Sequence, residues 1–337
     1  MKLQLQDITL GYVQRQGGRR LLAEHLSLEV PEGELIALLG RNGVGKSTLL
    51  RVLAGVRRPL HGEVSLDGLE LSAMTARDRA RRIAFVTTEQ VTVAHLRVRE
   101  VVAMGRAPYT GWFGTLSEED GRVVDEALER VGMAAFRDKP LETLSDGERQ
   151  RVMIARALAQ DTPLMLLDEP TAFLDLPNRY QVALLLRDLA HDTGKTVVYS
   201  SHDLSTAVQL CDALWVMTAR GVAAGAPEDL MRGGALNAMF EGTPLTLTTE
   251  GGVRLERPIE WGVVMETGSD RQLARWAERV AERCGFRLVT ETADAVAKVE
   301  VLPDERFIVT NLGRSSSATA DNCRELATLL RQCVRLR

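Results

Sequence analysis

The sequence predicts an α/β protein: a mostly parallel sheet with an antiparallel flank and a helical insert, followed by a small α+β domain. Three observations predict it. Short continuous apolar runs at "ELIALLG" (34–40), "PLMLLD" (163–168) and "TVVYSS" (196–201) suit strands covered on both faces, as parallel sheets require. Patterns of helical period lie between them, at 46–55, 145–160 and 177–192, giving the alternation of a parallel α/β layer. After about residue 250 the pattern restarts, with strands and two amphipathic helices whose apolar stripes need a local core.

In chain order, residues 2–12, 24–30 and 62–67 alternate or carry β-formers, with "PEG" (31–33) and "LDG" (66–68) as turns, and predict the antiparallel flank. The stretch 97–143 has helical periodicity and little strand character, so a helical insert is expected over about 90–150. The helix expected to open at "LSDGERQ" (144–150) carries a capping box, Ser145 with Glu148 three residues on. Its free N–H groups and positive dipole end are expected to stand exposed beside Gly147, an arrangement suited to an anion. Beyond 250, "WGVVMET" reads as a strand and "SDRQLARWAERVAERCG" as a helix capped by Ser269 and Gln272. "FRLVTE", "AVAKVEVL" and "RFIVTNL" read as strands, and about 319–335 as a final helix. The expected domains are therefore 1–245 and a βαβββα unit over 258–337.

Composition narrows the function. The chain has 337 residues, 45% hydrophobic and 26% charged, with net charge −4. That balance argues against a bulk nucleic-acid binder, which shows a basic face. No run approaches the roughly 18 apolar residues of a membrane span, and "MKLQLQDITL" lacks the apolar core of a signal peptide. A cytoplasmic location is expected. Cys211, Cys284, Cys323 and Cys333 show no CxxC pair and read as reduced core thiols.

Three motifs carry chemistry. "GRNGVGKST" (40–48) follows a buried strand and opens a helix, the context in which G-x-x-x-x-G-K-[ST] cradles phosphate. Gly40, Gly43 and Gly45 let the backbone wrap closely, and N–H groups from about 43 to 48, Asn42 beside them, point inward. Lys46 is placed to reach the β- and γ-phosphates, with Ser47 on Mg²⁺ and Thr48 next to it. "PLMLLDEP" (163–170) ends a strand with Asp168, a natural partner for Mg²⁺, and Glu169, positioned to polarise a water. "SSHD" (200–203) brings His202 to the same sheet edge, where α/β ligand sites form.

Together, residues 40–48, 145–148, 168–169 and 202 resemble the nucleotide-binding subunits of ABC transporters, over roughly residues 2–240. "LSDGERQ" resembles the family's signature sequence, most often "LSGGQ"; Asp146 and Glu148 depart from it but Ser145 and Gly147 are kept. The resemblance implies a P-loop ABC ATPase fold, ATP and Mg²⁺ as cofactors, and a head-to-tail dimer in which Ser145, Gly147 and Glu148 contact the γ-phosphate held by the other copy. It also implies that Tyr12 stacks on adenine, that Asp175 of "TAFLD" (171–175) communicates between the two sites, and that His202 contacts the γ-phosphate. Separate membrane permease subunits, a substrate-binding protein reached through them, and a peripheral place on the cytoplasmic membrane face follow from the same resemblance.

The insert's "MGRxPY" and "FGxLSxED" runs look like those of iron-chelate, haem and cobalamin importers, and Tyr109, Trp112 and Phe113 are candidates to pack on the permease or within the insert. The family's "VPQ" strand end departs here: "RIAFVTTEQ" (82–90) puts Thr88 at the glutamine position, with Glu89 (a metal-ligand candidate) or Gln90 as substitutes. A non-transport ABC ATPase acting on DNA or the ribosome is the alternative; the acidic pI and the absence of a long coiled-coil insertion stand against it.

Overall fold

The computed structural model describes residues 2–13, 18–87, 95–111, 114–218, 220–248, 252–255, 261–266 and 270–334. The chain divides into two compact units, Met1–Arg254 and Leu255–Arg337. Its first part runs β1 (Leu3–Val13), β2 (Arg19–Val30), β3 (Leu35–Gly40), α1 (Lys46–Leu53), β4 (His61–Leu66), β5 (Leu69–Glu70), α2 (Ala76–Ala80), β6 (Ile83–Val86), α3 (Val98–Ala103) and α4 (Glu118–Arg130). It continues with α5 (Asp146–Ala159), β7 (Leu164–Leu167), α6 (Leu176–Thr193), β8 (Thr196–Ser201), α7 (Leu204–Leu210), β9 (Ala213–Thr218), β10 (Gly221–Gly225), α8 (Pro227–Arg232), β11 (Leu245–Leu247) and β12 (Val253–Leu255).

The central sheet has the order β10-β9-β3-β8-β7-β6 and is parallel except for β10. Every residue of β3, β7 and β8 is buried. The alternation of β3 shows why an unbroken apolar run was needed: Leu35, Ala37 and Leu39 enter one core with α3 to α6, and Ile36 and Leu38 enter the other, with α1 and the flank. The flank is a second, antiparallel sheet, β2-β1-β4-β5. Because β3, β7 and β8 run parallel, their carboxyl ends open on one sheet edge, and the three motifs leave from that edge.

The insert holds α3 and α4, joined by the loop that carries "MGRAPYT". One buried ion pair anchors it. Arg106 Nε donates to Asp120 Oδ1 at 2.8 Å, and both side chains are less than a tenth exposed. Asp120 also accepts from the Ser117 backbone N–H and hydroxyl, 2.9 and 2.7 Å away. Those Ser117 bonds first, then Arg106, hold its carboxyl down at about 2. A depressed carboxylate adds stability that is present above its ordinary pKa near 3.8 and lost as pH falls through about 2. Asp120→Asn is therefore expected to cost about 2 kcal/mol at pH 7, with the difference from wild type shrinking between pH 4 and 2. Urea melts of both proteins at pH 7 and pH 3 check this.

The second unit contains β13 (Trp261–Glu266), α9 (Arg271–Arg283), β14 (Phe286–Leu288), β15 (Ala297–Val301), β16 (Phe307–Asn311), β17 (Ser316–Ala320) and α10 (Cys323–Val334). Its sheet has the order β14-β13-β15-β16-β17, with β13 parallel to both neighbours. Val263, Val299, Phe286 and Phe307 form its core with Ala277, Ala281, Leu326 and Leu330 of the two helices.

Here the structure corrects two expectations. The final helix begins at Cys323 rather than 319, because Ser316–Ala320 is an edge strand paired with β16. The cysteines lie as expected of core thiols: all four are free, Cys211 is buried in the first unit's core, and the half-buried Cys284, Cys323 and Cys333 pack against the second unit's core. The helix at 271 is capped by Asp270, whose carboxylate accepts from the N–H groups of Gln272 and Leu273; Ser269 lies outside the described residues. So do Thr88, Glu89, Gln90, Trp112 and Phe113. Among the described residues, no helix is long and apolar enough to cross a membrane.

Candidate active site

The phosphate-loop residues leave β3 and turn into α1 with three glycines at positive φ: Gly40 at 154°, Gly43 at 78° and Gly45 at 119°. A Cβ on Gly40 would lie 2.6 Å from the Met217 carbonyl oxygen, so the loop passes too close to β9 for any side chain. The Gly43 position is open, and its glycine answers to conformation alone. The loop leads Lys46 inward: it is 5% exposed, its Nζ donates to the Gly40 carbonyl at 2.8 Å, and it sits 3.4 Å from the His202 ring. Burial lowers the Lys46 pKa, opposed by the charges of Glu169 and Asp168. An ammonium desolvated in this way is stabilised by further negative charge.

Asp168 is 2% exposed and held by two hydroxyls, Ser47 Oγ at 2.9 Å and Ser200 Oγ at 2.8 Å. Ser200 Oγ also accepts the Glu169 N–H at 2.8 Å. This one buried hydroxyl, at the end of β8, thus fixes both acids at the end of β7. It stands inside the quoted "SSHD" yet was not read as a site residue; only the pairing of β7 with β8 reveals it. Glu169 has φ of 50°, a left-handed backbone costing on the order of 1 kcal/mol. The strain aims its carboxylate across the sheet edge, where Oε1 meets His202 Nε2 at 2.6 Å.

A hydroxyl beside a carboxylate is a hard-oxygen donor set that fits Mg²⁺. Among the described residues, no group of three or more His, Cys, Asp or Glu could cage a metal. Ser47 and Asp168 therefore fit an ion completed by phosphate and water. Tyr12 lies beside the same loop, its hydroxyl 2.6 Å from Thr48 Oγ1. The Arg57 guanidinium stacks 4.1 Å from the ring centroid, a partner the sequence did not suggest.

Ser145, Gly147, Glu148 and Asp175 form a second group. Ser145 caps α5: its hydroxyl oxygen accepts the Glu148 N–H, and Glu148 Oε2 accepts from the Ser145 N–H and hydroxyl, both at 2.8 Å. These bonds lower the Glu148 pKa. The N–H groups of Asp146 and Gly147, in the first turn, have no acceptor within the helix. Asp175 caps α6 by accepting the Asn178 N–H, and the Asn178 side chain lies against Gly147, 3.3 Å from where a Cβ would stand. Among the described residues, no hydrogen bond or ion pair joins this group to the cluster around Lys46. One chain thus presents a phosphate cradle and, separately, a helix N-terminus capped by Ser145 and Glu148.

A family model described as "ABC transporter" matches residues 23–172. The ferric enterobactin transport ATP-binding protein FepC of Escherichia coli is 38% identical over 231 residues, 68% of this chain and 83% of that protein. The chain belongs to the ABC transporter ATP-binding proteins. It is an ATPase cassette with a second unit attached. The iron(3+)-hydroxamate import ATP-binding protein FhuC of Bacillus subtilis is 39% identical over 207 residues, 61% of this chain and 75% of that protein. A dimeric cassette solved in a post-hydrolysis state with ADP and phosphate superposes with a TM-score of 0.59 at 28% identity, covering 67% of this chain and 98% of that one. For the ATPase cassette, Gly40→Ala is expected to weaken ATP binding about 10-fold, because the Met217 carbonyl must move at a strain of about 1–3 kcal/mol. Titration with a fluorescent ATP analogue measures it.

Proposed function

We propose that two copies of this cassette close head to tail on two ATP molecules and power import of an iron chelate, haem or cobalamin-like solute through separate membrane permease subunits. The observation that carries the two-copy part is the division of the site: the Lys46 cluster and the Ser145 helix end belong to one chain, but among the described residues no hydrogen bond or ion pair joins them. In a two-fold pair, each Ser145 end faces the triphosphate of the other copy. The dimeric ATP-binding cassette among the similar structures supports this arrangement.

In the proposed cycle the resting contacts are exchanged for contacts to ATP. Lys46 and the loop N–H groups take the β- and γ-phosphates. Tyr12 offers its ring to adenine, with Gly40, Asn42, Gly43, Gly45 and Thr48 shaping the cradle. Ser47 and Asp168 hold Mg²⁺, which supplies positive charge for the spreading γ-phosphoryl charge. Glu169, now paired with His202, releases it to the γ-phosphate and polarises the attacking water. Across the interface, the Asp146 and Gly147 N–H groups and the Ser145 hydroxyl, turned from Glu148, meet the same γ-phosphate. Asp175, capping the helix against which Gly147 packs, links the two sites.

The solute class rests on the relatives. Besides the two above, the cobalamin import ATP-binding protein BtuD of Halobacterium salinarum is 41% identical over 236 residues, 70% of this chain and 58% of that protein. A solved inward-facing ABC transporter assigned to the metal-chelate type matches at a TM-score of 0.62 and 28% identity, covering 75% of this chain and 94% of that one. The cassette then sits peripherally on the cytoplasmic membrane face, indirectly served by a substrate-binding protein and without nucleic acid. Uptake of radiolabelled ferric chelate and cobalamin by cells with and without this chain tests the reading. With haem tested as the third solute, loss of one uptake on deletion, restored by the wild-type chain and not by Lys46→Ala, is expected; unchanged uptake of all three contradicts it.

A further inference from the structure

The "MGRAPYT" segment lies outside the phosphate loop, yet bonds from α2, α4 and the end of α5 converge on it. Gly105 packs on the last turn of α5 so tightly that a Cβ would lie 2.2 Å from the Arg156 carbonyl oxygen. Arg106 joins α4 to α5 and braces its own segment: Nε goes to Asp120 of α4, NH1 to the Ala159 carbonyl that ends α5 at 2.9 Å, and its guanidinium lies 4.0 Å over the Tyr109 ring. Tyr109 donates its hydroxyl to the Asp161 carbonyl at 3.3 Å. From the α2 side, Arg77 donates to the Pro108 and Thr110 carbonyls and Arg81 to that of Pro108, at 2.9 to 3.1 Å. Gln160, just past α5, donates to the carbonyls of Ala80 and Ile83, at 2.6 and 2.9 Å; Ile83 opens β6 of the central sheet.

We infer that residues 105–110 clamp the C-terminal end of α5 to the insert and to α2, with Gln160 tying the same end to β6 of the central sheet, and that Arg106 is a positioning residue setting the direction in which α5 presents Ser145. The inference rests on the two-copy reading above. α5 has 14 residues, so its signature end lies about 21 Å from the clamp. A 5° error in direction at the clamp becomes roughly 2 Å at Ser145, and about 1 Å of misplacement in a catalytic contact can cost 100-fold in rate. A buried ion pair suits this task better than it suits stability. An apolar pair of equal volume packs as well, but it does not fix angles as directional bonds to a helix-terminal carbonyl and to a capping carboxylate do.

The test uses the full chain with Arg106→Met and Arg106→Lys. In the methionine variant, turnover falls about 10-fold or more while affinity for a fluorescent ATP analogue stays within about 2-fold, because the phosphate cradle is untouched. Lysine keeps the charge opposite Asp120 but has a single donor head for two acceptors, so its turnover lies between the two. Hydrogen exchange accelerates at 104–110 and 156–161 and is unchanged at 40–48. Wild-type turnover in Arg106→Met overturns the clamp. So do turnover and ATP affinity falling in step, with faster exchange in the phosphate loop, which is a general loosening. Ser145→Arg, run alongside, separates the two claims: full turnover there overturns the two-copy reading, whereas a dead Ser145→Arg beside a fully active Arg106→Met overturns the clamp alone.

Discussion

Glu169→Gln is expected to bind ATP like the wild type, to lower turnover roughly 100- to 10,000-fold, the span of a lost general base, and to accumulate as ATP-bound dimers. The side chain keeps its size and can still hydrogen-bond His202, so the fold and the Lys46 cradle are undisturbed. What is lost is a carboxylate able to take a proton from water. ATP then stays intact between two copies, and the closed state it favours is not released. Size-exclusion chromatography in ATP and Mg²⁺, with phosphate release measured on the same samples, gives both readouts. A variant that turns over slowly but elutes as monomer under those conditions assigns Glu169 a role outside the closed site.

Lys46→Ala is expected to act one step earlier, at ATP capture. The ammonium is 5% exposed, donates to the Gly40 carbonyl and feels the charges of Glu169 and Asp168. Removing it deletes charge-assisted bonds to phosphate worth about 3 kcal/mol together, roughly a 100-fold loss of affinity. It also takes away the ammonium whose charge couples to Glu169 and Asp168. Turnover is expected to fall further than affinity, since the same ammonium meets the growing charge of the transition state. Equilibrium titration with labelled ATP separates this variant from Glu169→Gln, which binds normally.

Most of the site was legible because its chemistry demands rare residues in fixed order. Gly40, Gly43, Gly45 and Lys46 announce themselves, and the structure supplies their reasons: positive φ at all three glycines and the close Met217 carbonyl at the first. The capping box at Ser145 was legible for the same local reason. What escaped depends on residues far apart in the chain. Ser200 holds Asp168 from 32 residues away, and Arg106 reaches Ala159 across 53; no short window carries either. Arg57 over Tyr12 likewise needs the flank folded onto the phosphate-loop region. The edge strand Ser316–Ala320 was missed for a different cause: "SSATA" has no large apolar residue, and four of its five positions are exposed, so it shows no apolar alternation. In its place the final helix was extended too far toward the N-terminus.

The central claim is that each working site takes its phosphate cradle from one copy and its helix end from the other, and complementation tests it most directly. Lys46→Ala has a dead cradle and an intact Ser145 end; Ser145→Arg has the reverse. Each variant alone is expected to be inactive. In an equal mixture, half of the dimers are mixed, and each mixed dimer holds one complete site, so about a quarter of wild-type turnover returns. A mixture as inactive as its separate components, with mixed dimers shown to form, contradicts the account.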